Sequence, residues 1–174
     1  MKNKKIILAG LLLISMMGFS KTKTNVKTTK KKTSVKQVSN KKTLTNEEIT
    51  ERNKKIVLDF YNLAFGQGKF KEARDKYMGN TYIQHNPTVP DGPEAFVNAM
   101  STFTQKFPEL KGEVKRVIAE GDLVMLHVHT KTTSDARGRA VVDIFRVDEN
   151  GKIVEHWDVG QDIPEKAANN NTMF

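Results

Sequence analysis

Residues 139–160 read RAVVDIFRVDENGKIVEHWDVG, and this stretch predicts two β-strands joined by a tight turn. The turn contains Asn150-Gly151, a pair that supplies the positive φ angles that short hairpins need. Side chains alternate between the two faces of a strand. Asp143 therefore shares a face with apolar neighbours on the first strand, while His156 and Asp158 share a face on the second. The hairpin predicts that these three side chains meet in one space.

Three helices are predicted before the sheet. Thr45-Asn46-Glu47-Glu48 fits a capping box, in which the threonine hydroxyl and the second glutamate each accept a hydrogen bond from the other residue's backbone N–H. Apolar residues then recur at helical spacing until Gly66 and Gly68 end the first helix. A second helix is predicted over residues 70–77. A third begins at Pro93, because proline suits the first helical position.

The second half of the chain is predicted to form an antiparallel sheet. Residues 114–119 and 123–132 predict two strands joined by a glycine-containing turn, and the hairpin of residues 139–160 adds two more. Residues 81–87 are predicted to be extended, because the residue before a proline avoids the helical region. Helices that precede an antiparallel sheet are typical of an α+β fold.

The basic charge is concentrated at the N-terminus. Residues 1–43 hold 12 lysines and no acidic residue, whereas the remaining residues hold 17 basic residues and all 20 acidic ones. Residues 1–20 combine a basic start, an apolar run and small residues at the end, which predicts a signal peptide and export from the cytoplasm. An uncleaved membrane anchor is the alternative, although the apolar run is shorter than the ~20 residues of a spanning helix.

Residues 21–44 form a low-complexity segment rich in lysine and threonine. This composition cannot bury enough apolar surface to fold, so disorder is predicted. The segment serves either as a solvated linker or as a weak electrostatic contact with anionic envelope polymers. The absence of aromatic residues argues against specific nucleic-acid binding. The predicted domain spans residues 45–163, and a polar tail, residues 164–174, follows it.

All four histidines lie in the predicted domain. His127 and His129 share one face of the strand over residues 123–132, and they are predicted to converge with Asp143 and His156 on one side of the sheet. A packed polar network in the core is the alternative. Burial among apolar residues raises the pKa of a carboxyl group toward neutrality, which would suit Asp143 to act as a general acid or base.

Several other chemistries lack their motifs. The chain has no cysteine, so thiolate catalysis and disulfides are excluded. No Gly-x-Ser-x-Gly elbow and no complete glycine-rich phosphate loop occurs. Gly121 followed by His127-Val128-His129 matches the start of the cupin metal motif, but the glutamate that should follow is absent. Three histidines and an aspartate could bind zinc. Nothing in the sequence fixes their geometry, so neither a metal nor another cofactor is predicted.

Three stretches carry a resemblance to a known family: residues 82–87 (YIQHNP), residues 117–122 (VIAEGD) and the strands within residues 141–158. With the order of helices and strands, they resemble the nuclear-transport-factor-2-like superfamily, and within it the SnoaL-like polyketide cyclases. The resemblance covers residues 45–163. It implies a cone-shaped fold in which three helices pack on a curved, mostly antiparallel sheet and enclose a pocket.

The resemblance also implies roles for single residues. In SnoaL-like cyclases, an aspartate on the strand of Asp143 is the acid and base of an aldol closure, with a histidine on the preceding strand, for which His129 is the match. Related ketosteroid isomerases use a further carboxylate as base, but residues 79–89 contain none. Because side chains alternate along a strand, Trp157 is directed away from His156 and toward the outer face, so it is expected to contribute less to the pocket. Pocket residues are expected at eight further positions: His127, His156, Asp158, His85, Asn86, Phe145, Tyr61 and Trp157.

Two functions follow from this reading. The first is a cofactor-free enzyme that performs an aldol-type condensation, cyclisation or isomerisation of a carbonyl compound, with Asp143 and His129 as the catalytic pair. The alternative is an exported binding protein that holds a small apolar or carbonyl ligand unchanged. The fold hosts both kinds of protein, so the resemblance alone does not separate them. Homodimerisation through the outer face of the sheet is a further expectation from the resemblance.

Overall fold

The computed structural model describes residues 43–174. The predicted signal peptide, residues 1–20, and nearly all of the lysine-rich segment, residues 21–44, lie outside the described residues. Within residues 43–174, none of the helices combines the length and the apolar character that crossing a membrane requires.

The helices precede most of the sheet, which confirms the α+β prediction. The elements in chain order are helix α1, a π-helical segment, helix α2, strand β1, helix α3 and strands β2 to β5. Their bounds are α1 Asn46–Tyr61, the π-helical segment Asn62–Gly66, α2 Phe70–Tyr77, β1 Met78–Gln84, α3 Pro93–Lys106, β2 Lys111–Glu120, β3 Leu123–Lys131, β4 Arg139–Val147 and β5 Ile153–Asp162.

The helix starts follow the sequence signals. The Thr45 hydroxyl accepts a hydrogen bond of 3.2 Å from the backbone N–H of Glu48, whose carboxylate accepts one of 2.8 Å from the backbone N–H of Thr45. This confirms the predicted capping box. Helix α3 begins at Pro93 as predicted, and the bounds of α2 are those of the predicted second helix.

The sheet has five strands in the order β1-β5-β4-β3-β2. Strands β2 to β5 pair antiparallel, as predicted, whereas β1 pairs parallel to β5 at one edge. The sequence predicted only an extended piece at residues 81–87. A register irregularity between Met78 and Ile83 interrupts the β1–β5 pairing.

One face of the sheet, here called the inner face, packs against the helices. Val124, Leu126 and Val128 of β3 are completely buried on it, together with Val57 and Phe60 of α1. Leu126 lies directly opposite Asp143 in the β3–β4 register. Cross-strand partners point to the same side of a sheet, so the carboxyl group of Asp143 also belongs to the inner face.

Helix α1 holds two turns of the sheet through polar contacts. The buried side chain of Asn53 donates a hydrogen bond of 2.9 Å to the carbonyl of Gly121, in the β2–β3 turn. The guanidinium of Arg52 donates to the carbonyls of Asp148 and Glu149, in the β4–β5 turn. These contacts hold α1 at one end of the inner face. The other end of this face lines a cavity.

Candidate active site

A cavity of about 460 Å³ lies between the inner face of the sheet and the helices. A pocket of this size suits a small molecule. Aromatic and aliphatic side chains from α1, the π-helical segment, α3, the loop after α3 and β4 form most of its wall: Phe60, Phe65, Phe96, Met100, Phe103, Leu110, Val141 and Phe145. The polar groups of the wall come mainly from β1, β4 and β5.

A buried acid–histidine pair lies in this wall. In the β4–β5 register, Asp143 is opposite Asp158 and Phe145 is opposite His156. Asp143 Oδ1 lies 3.2 Å from His156 Nε2, and each residue is only 8% exposed. A carboxyl group and an imidazole at this distance share a proton, since each can hold it in turn. The hairpin prediction that Asp143, His156 and Asp158 meet in one space is confirmed.

Gln84 fixes the protonation of His156. Its side-chain oxygen Oε1 lies 2.9 Å from His156 Nδ1 and also accepts a hydrogen bond of 2.9 Å from the backbone N–H of Asn86. Because the Asn86 N–H can only donate, the atom that receives it is the amide oxygen. His156 Nδ1 must therefore carry a proton, and His156 Nε2 is the nitrogen that exchanges a proton with Asp143.

Asp158 lies beside this pair. It is half-buried, and its Oδ2 accepts a hydrogen bond of 2.7 Å from the side-chain amide of Asn86. Asp143, His156 and Asp158 each offer a ligand atom within 4.8 Å of the other two. A divalent ion could use all three only if the Asp143–His156 hydrogen bond were lost, because Gln84 already holds the other nitrogen of His156.

Two buried tyrosines adjoin the pair. Burial raises the pKa of the Tyr61 hydroxyl well above its ordinary value of 10.0, and the nearby negative charge of Asp143 raises it further. Burial, followed by the charge of Asp143, raises the pKa of Tyr82 in the same direction. Both hydroxyls therefore stay protonated at neutral pH and can donate hydrogen bonds.

The position of Tyr61 depends on a glycine in β2. A Cβ atom added to Gly112 would lie 2.8 Å from the Tyr61 hydroxyl oxygen and 2.9 Å from a ring carbon. Any other residue at position 112 would therefore displace the ring. Tyr61 is the last residue of α1, directly before the π-helical segment, and π-helical turns frequently occur at functional sites.

The prediction that His127 and His129 face the pocket is wrong. They lie opposite Val142 and Ala140 on the outer face, away from the cavity. His129 Nε2 donates a hydrogen bond of 2.7 Å to the carbonyl of Arg137, so the predicted pair of His129 and Asp143 does not form. The other face of β3 carries Val124, Leu126 and Val128, and this fully apolar set is the one that packs against the helices.

His127 and His129 instead belong to an aromatic cluster on the outer face. The ring of Phe174 lies 5.3 Å from the His127 ring and 4.6 Å from the His129 ring, and the ammonium group of Lys115 lies 5.6 Å from the Phe174 ring. Arg116 donates a hydrogen bond to His127 Nδ1. The polar composition of residues 164–174 does not predict this contact.

His85 and Trp157 also lie outside the cavity, so their prediction as pocket residues is wrong. Their rings stack at 4.7 Å on the outer face, and His85 Nε2 donates a hydrogen bond of 2.9 Å to Glu155. Arg146 lowers the pKa of Glu155 most, followed by His85. Trp157 lies opposite Ile144, which agrees with its predicted direction by alternation.

Six predicted site residues do reach the cavity, namely Tyr61, Asn86, Asp143, Phe145, His156 and Asp158. Sequence reasoning missed Tyr82 and Gln84 of β1, Thr130 of β3, and Arg139 and Asp162 at the ends of β4 and β5, all of which line it. Tyr82 and Gln84 are two residues apart, so reading residues 81–87 as a strand would have placed both on one face.

The sequence matches the family model of the SnoaL-like polyketide cyclases over residues 55–167. Comparison with curated proteins gives no significant match.

Three solved structures illustrate the similarity of fold. A proposed SnoaL-like polyketide cyclase from Jannaschia sp. CCS1 is 20% identical, with a TM-score of 0.55 over 64% of this chain and 87% of that chain. A proposed polyketide cyclase from Bacillus cereus ATCC 10987 is 22% identical, with a TM-score of 0.56 over 67% and 78% of the two chains. A proposed ketosteroid isomerase from Kribbella flavida DSM 17836 is 15% identical, with a TM-score of 0.56 over 69% and 85%.

These identities show the fold alone, and the family is shown by the family model, which matches more than half of the chain. The chain belongs to the SnoaL-like polyketide cyclase family.

Proposed function

We propose that the domain is an enzyme that moves protons on a carbonyl compound without a cofactor, in an aldol-type condensation, cyclisation or isomerisation. The observation that carries this proposal is the buried Asp143–His156 pair in the wall of an apolar cavity. General acid–base catalysis needs a positioned side chain that takes or returns the proton, and a hydrogen-bonded neighbour can orient that side chain. The cyclase and isomerase names of the structural neighbours support the same class of reaction.

The proposed step begins at a carbon atom next to the substrate carbonyl. The Asp143 carboxylate takes the proton from this carbon, and the electron pair of the broken C–H bond moves onto the carbonyl oxygen, giving an enolate. The neutral hydroxyl of Tyr61, which lines the same cavity beside Asp143, would donate a hydrogen bond to that oxygen. The proton on Asp143 then returns to a carbon atom in an isomerisation, or to the new alkoxide after an aldol closure. His156 replaces His129 as the partner of the acid.

Binding without turnover is the second candidate function. The observation that favours it is that both nitrogens of His156 already have protein partners, Gln84 and Asp143. An imidazole held in this way stabilises the wall of a pocket without taking part in a reaction. A binding protein of this kind would hold the same small apolar or carbonyl ligand.

Hydrogen exchange on a generic ketone distinguishes the two functions. The probe is 2-tetralone in D₂O, and nuclear magnetic resonance follows the loss of the protons beside its carbonyl. An enzyme accelerates the exchange, and Asp143→Asn should lower the catalysed rate by about 10²–10⁴-fold. Glu113→Gln is the matched control, since the Glu113 side chain is 67% exposed and lies outside the cavity. Calorimetric binding of the ketone with no accelerated exchange would instead support a binding protein.

Export and the electrostatic contact made by residues 21–44 stay predictions, as does homodimerisation. They do not bear on the Asp143–His156 pair.

A further inference from the structure

Apart from the protonated hydroxyls of Tyr61 and Tyr82, the ionisable groups of the cavity wall are predominantly acidic. They are three aspartates, one arginine and one histidine: Asp143, Asp158, Asp162, Arg139 and His156. Arg139 is already engaged, because its Nε donates a hydrogen bond of 2.7 Å to Asp162 and another of its nitrogens donates to the carbonyl of Gly160. His156 faces Asp143. Among the residues that the structure describes, Asp158 is therefore left without a basic partner of its own.

The surroundings of Asp158 confirm this imbalance. Among residues 43–174, its carboxylate has no lysine, arginine or histidine nitrogen within 4.0 Å. Within the same part of the chain, its hydrogen-bond donor is the neutral side-chain amide of Asn86. Asp143, a second carboxyl group, lies directly opposite it in the β4–β5 register. The carboxylate of Asp158 is half-buried and so has lost part of its hydration, and the His156 ring, which has a nitrogen within 4.8 Å of it, is hydrogen-bonded to Asp143 instead. A cationic ligand would supply the opposite charge that Asp158 lacks.

The rest of the cavity is suited to an apolar group. Phe65 and Phe96 have their ring centroids 6.3 Å apart, and Met100 and Phe103 continue this wall along α3. A ligand that fills the cavity therefore meets an aromatic wall on the helix side and carboxylates on the sheet side.

We propose that the pocket takes a ligand with an apolar ring system and a protonated amine, and that the amine binds Asp158. This inference rests on the proposed function, because it concerns the same cavity, and it adds the class of compound. An ammonium group would form a charge-assisted hydrogen bond with the free oxygen of Asp158. A carboxylate or phosphate at the same place would face Asp143 and Asp158 and would be repelled. Anionic ligands are therefore selected against.

Three probes with one ring system test the inference on the full-length protein at neutral pH. They are 2-naphthylmethylamine, 2-naphthylmethanol and 2-naphthoate, which carry a positive, a neutral and a negative group. Isothermal titration calorimetry should show the amine binding at least about tenfold more tightly than the alcohol. The carboxylate should bind most weakly. This series uses the wild-type protein and so does not depend on a variant that folds.

Asp158→Asn then assigns the preference to one residue. In this variant the amine and the alcohol should bind within about threefold of each other, because the asparagine carries no charge. Glu113→Gln removes the same charge from the outer side of β2, outside the cavity, and should keep the full preference. Circular dichroism of both variants checks that the fold is retained.

The possible failures are distinguishable. If the alcohol binds and the amine binds no more tightly, the inference is overturned while the proposed pocket function stands. If the amine preference survives in Asp158→Asn, the assignment to Asp158 is wrong. If wild-type protein binds none of the three probes, both the inference and the proposed pocket are contradicted.

Discussion

Gln84 Oε1 accepts a hydrogen bond of 2.9 Å from Nδ1 of His156, a residue 72 positions further along the chain. This bond directs Nε2, the other ring nitrogen of His156, toward Asp143. The side chain of Gln84 therefore orients the Asp143–His156 pair without belonging to it.

Replacing Gln84 should change the reaction more than the binding. In Gln84→Leu, His156 Nδ1 loses its acceptor, so the tautomer that serves Asp143 is no longer favoured. We expect the catalysed exchange of 2-tetralone to fall about tenfold or more at saturating ketone, with KM changed by less than about threefold. Gln84→Glu keeps an oxygen acceptor at this place and should restore most of the rate. Loss of binding rather than rate in Gln84→Leu would argue for a role in the pocket wall only.

The ¹⁵N chemical shifts of His156 report the tautomer directly. The wild-type protein should show a protonated Nδ1, and Gln84→Leu should show a mixture. An unchanged spectrum in Gln84→Leu would contradict tautomer control by Gln84.

The raised pKa of Tyr61 predicts a loss of stability at alkaline pH. Burial and the charge of Asp143 raise this pKa in the folded protein, so the folded state holds the phenolic proton more tightly than the unfolded chain. The resulting stabilisation is fully present below pH ~10, the ordinary pKa of tyrosine, and is lost as the pH rises above it. Urea unfolding as a function of pH should show this loss in the wild-type protein and a smaller one in Tyr61→Phe. Equal losses in both proteins would refute the assignment to Tyr61.

Gly112→Ala should destabilise the protein by about 1–3 kcal/mol, because its new Cβ atom overlaps the Tyr61 ring. Urea unfolding measures the change. The effect should shrink when Tyr61→Leu is introduced as well, since the overlapping ring atoms are then gone. If the two substitutions add independently, the contact between Gly112 and Tyr61 is not the cause.

Asn53→Leu should cost about 1–3 kcal/mol of unfolding free energy. The substitution leaves the carbonyl of Gly121 without its side-chain donor and removes an acceptor from Arg52. Asn169→Ala, at an exposed position, serves as control and should stay within about 0.5 kcal/mol of wild type. A similar small effect for Asn53→Leu would show that the α1 contact to the β2–β3 turn is dispensable.

The outer face of the sheet makes the expected homodimer testable. Ile118 is 58% exposed and Val159 is 69% exposed, although both lie within strands. We expect sedimentation to give the mass of a dimer and Val159→Asp to shift it toward the monomer. Leu44→Asp, an apolar-to-charged change outside the sheet, should leave the mass unchanged. A wild-type protein that sediments as a monomer would contradict the expectation.

The elements defined by local signals could be predicted from the sequence. The Thr45 capping box, Pro93 and the Asn150-Gly151 turn each act over a few residues, and the structure has a helix start or a hairpin at each. The meeting of Asp143, His156 and Asp158 in one space also followed, because a hairpin determines which residues of its two strands share a face. The histidine that pairs with Asp143 did not follow, since His129 was the predicted partner.

The predictions that failed concern features determined by distant contacts. Alternation separated the two faces of β3 correctly, but choosing the inner face required comparing His127 and His129 with the apolar set that competes for the core. Val124, Leu126 and Val128 occupy the core, because burying an imidazole requires hydrogen-bond partners that valine and leucine do not need. The parallel pairing of β1 likewise depends on β5, so nothing near Tyr82 or Gln84 indicated their partners.

The irregular stretch of β1 between Met78 and Ile83 determines which β1 side chain forms a hydrogen bond with His156. Neighbouring side chains on a strand point in opposite directions, so a shift of β1 by one residue would exchange Gln84 for His85 in the cavity. His156 would then face a second imidazole instead of the amide oxygen of Gln84, and its tautomer would no longer be fixed. Insertions or deletions in this stretch would therefore change the partner of His156 while Asp143 and His156 are both retained. The length of an edge strand thus helps to determine the composition of the proposed site.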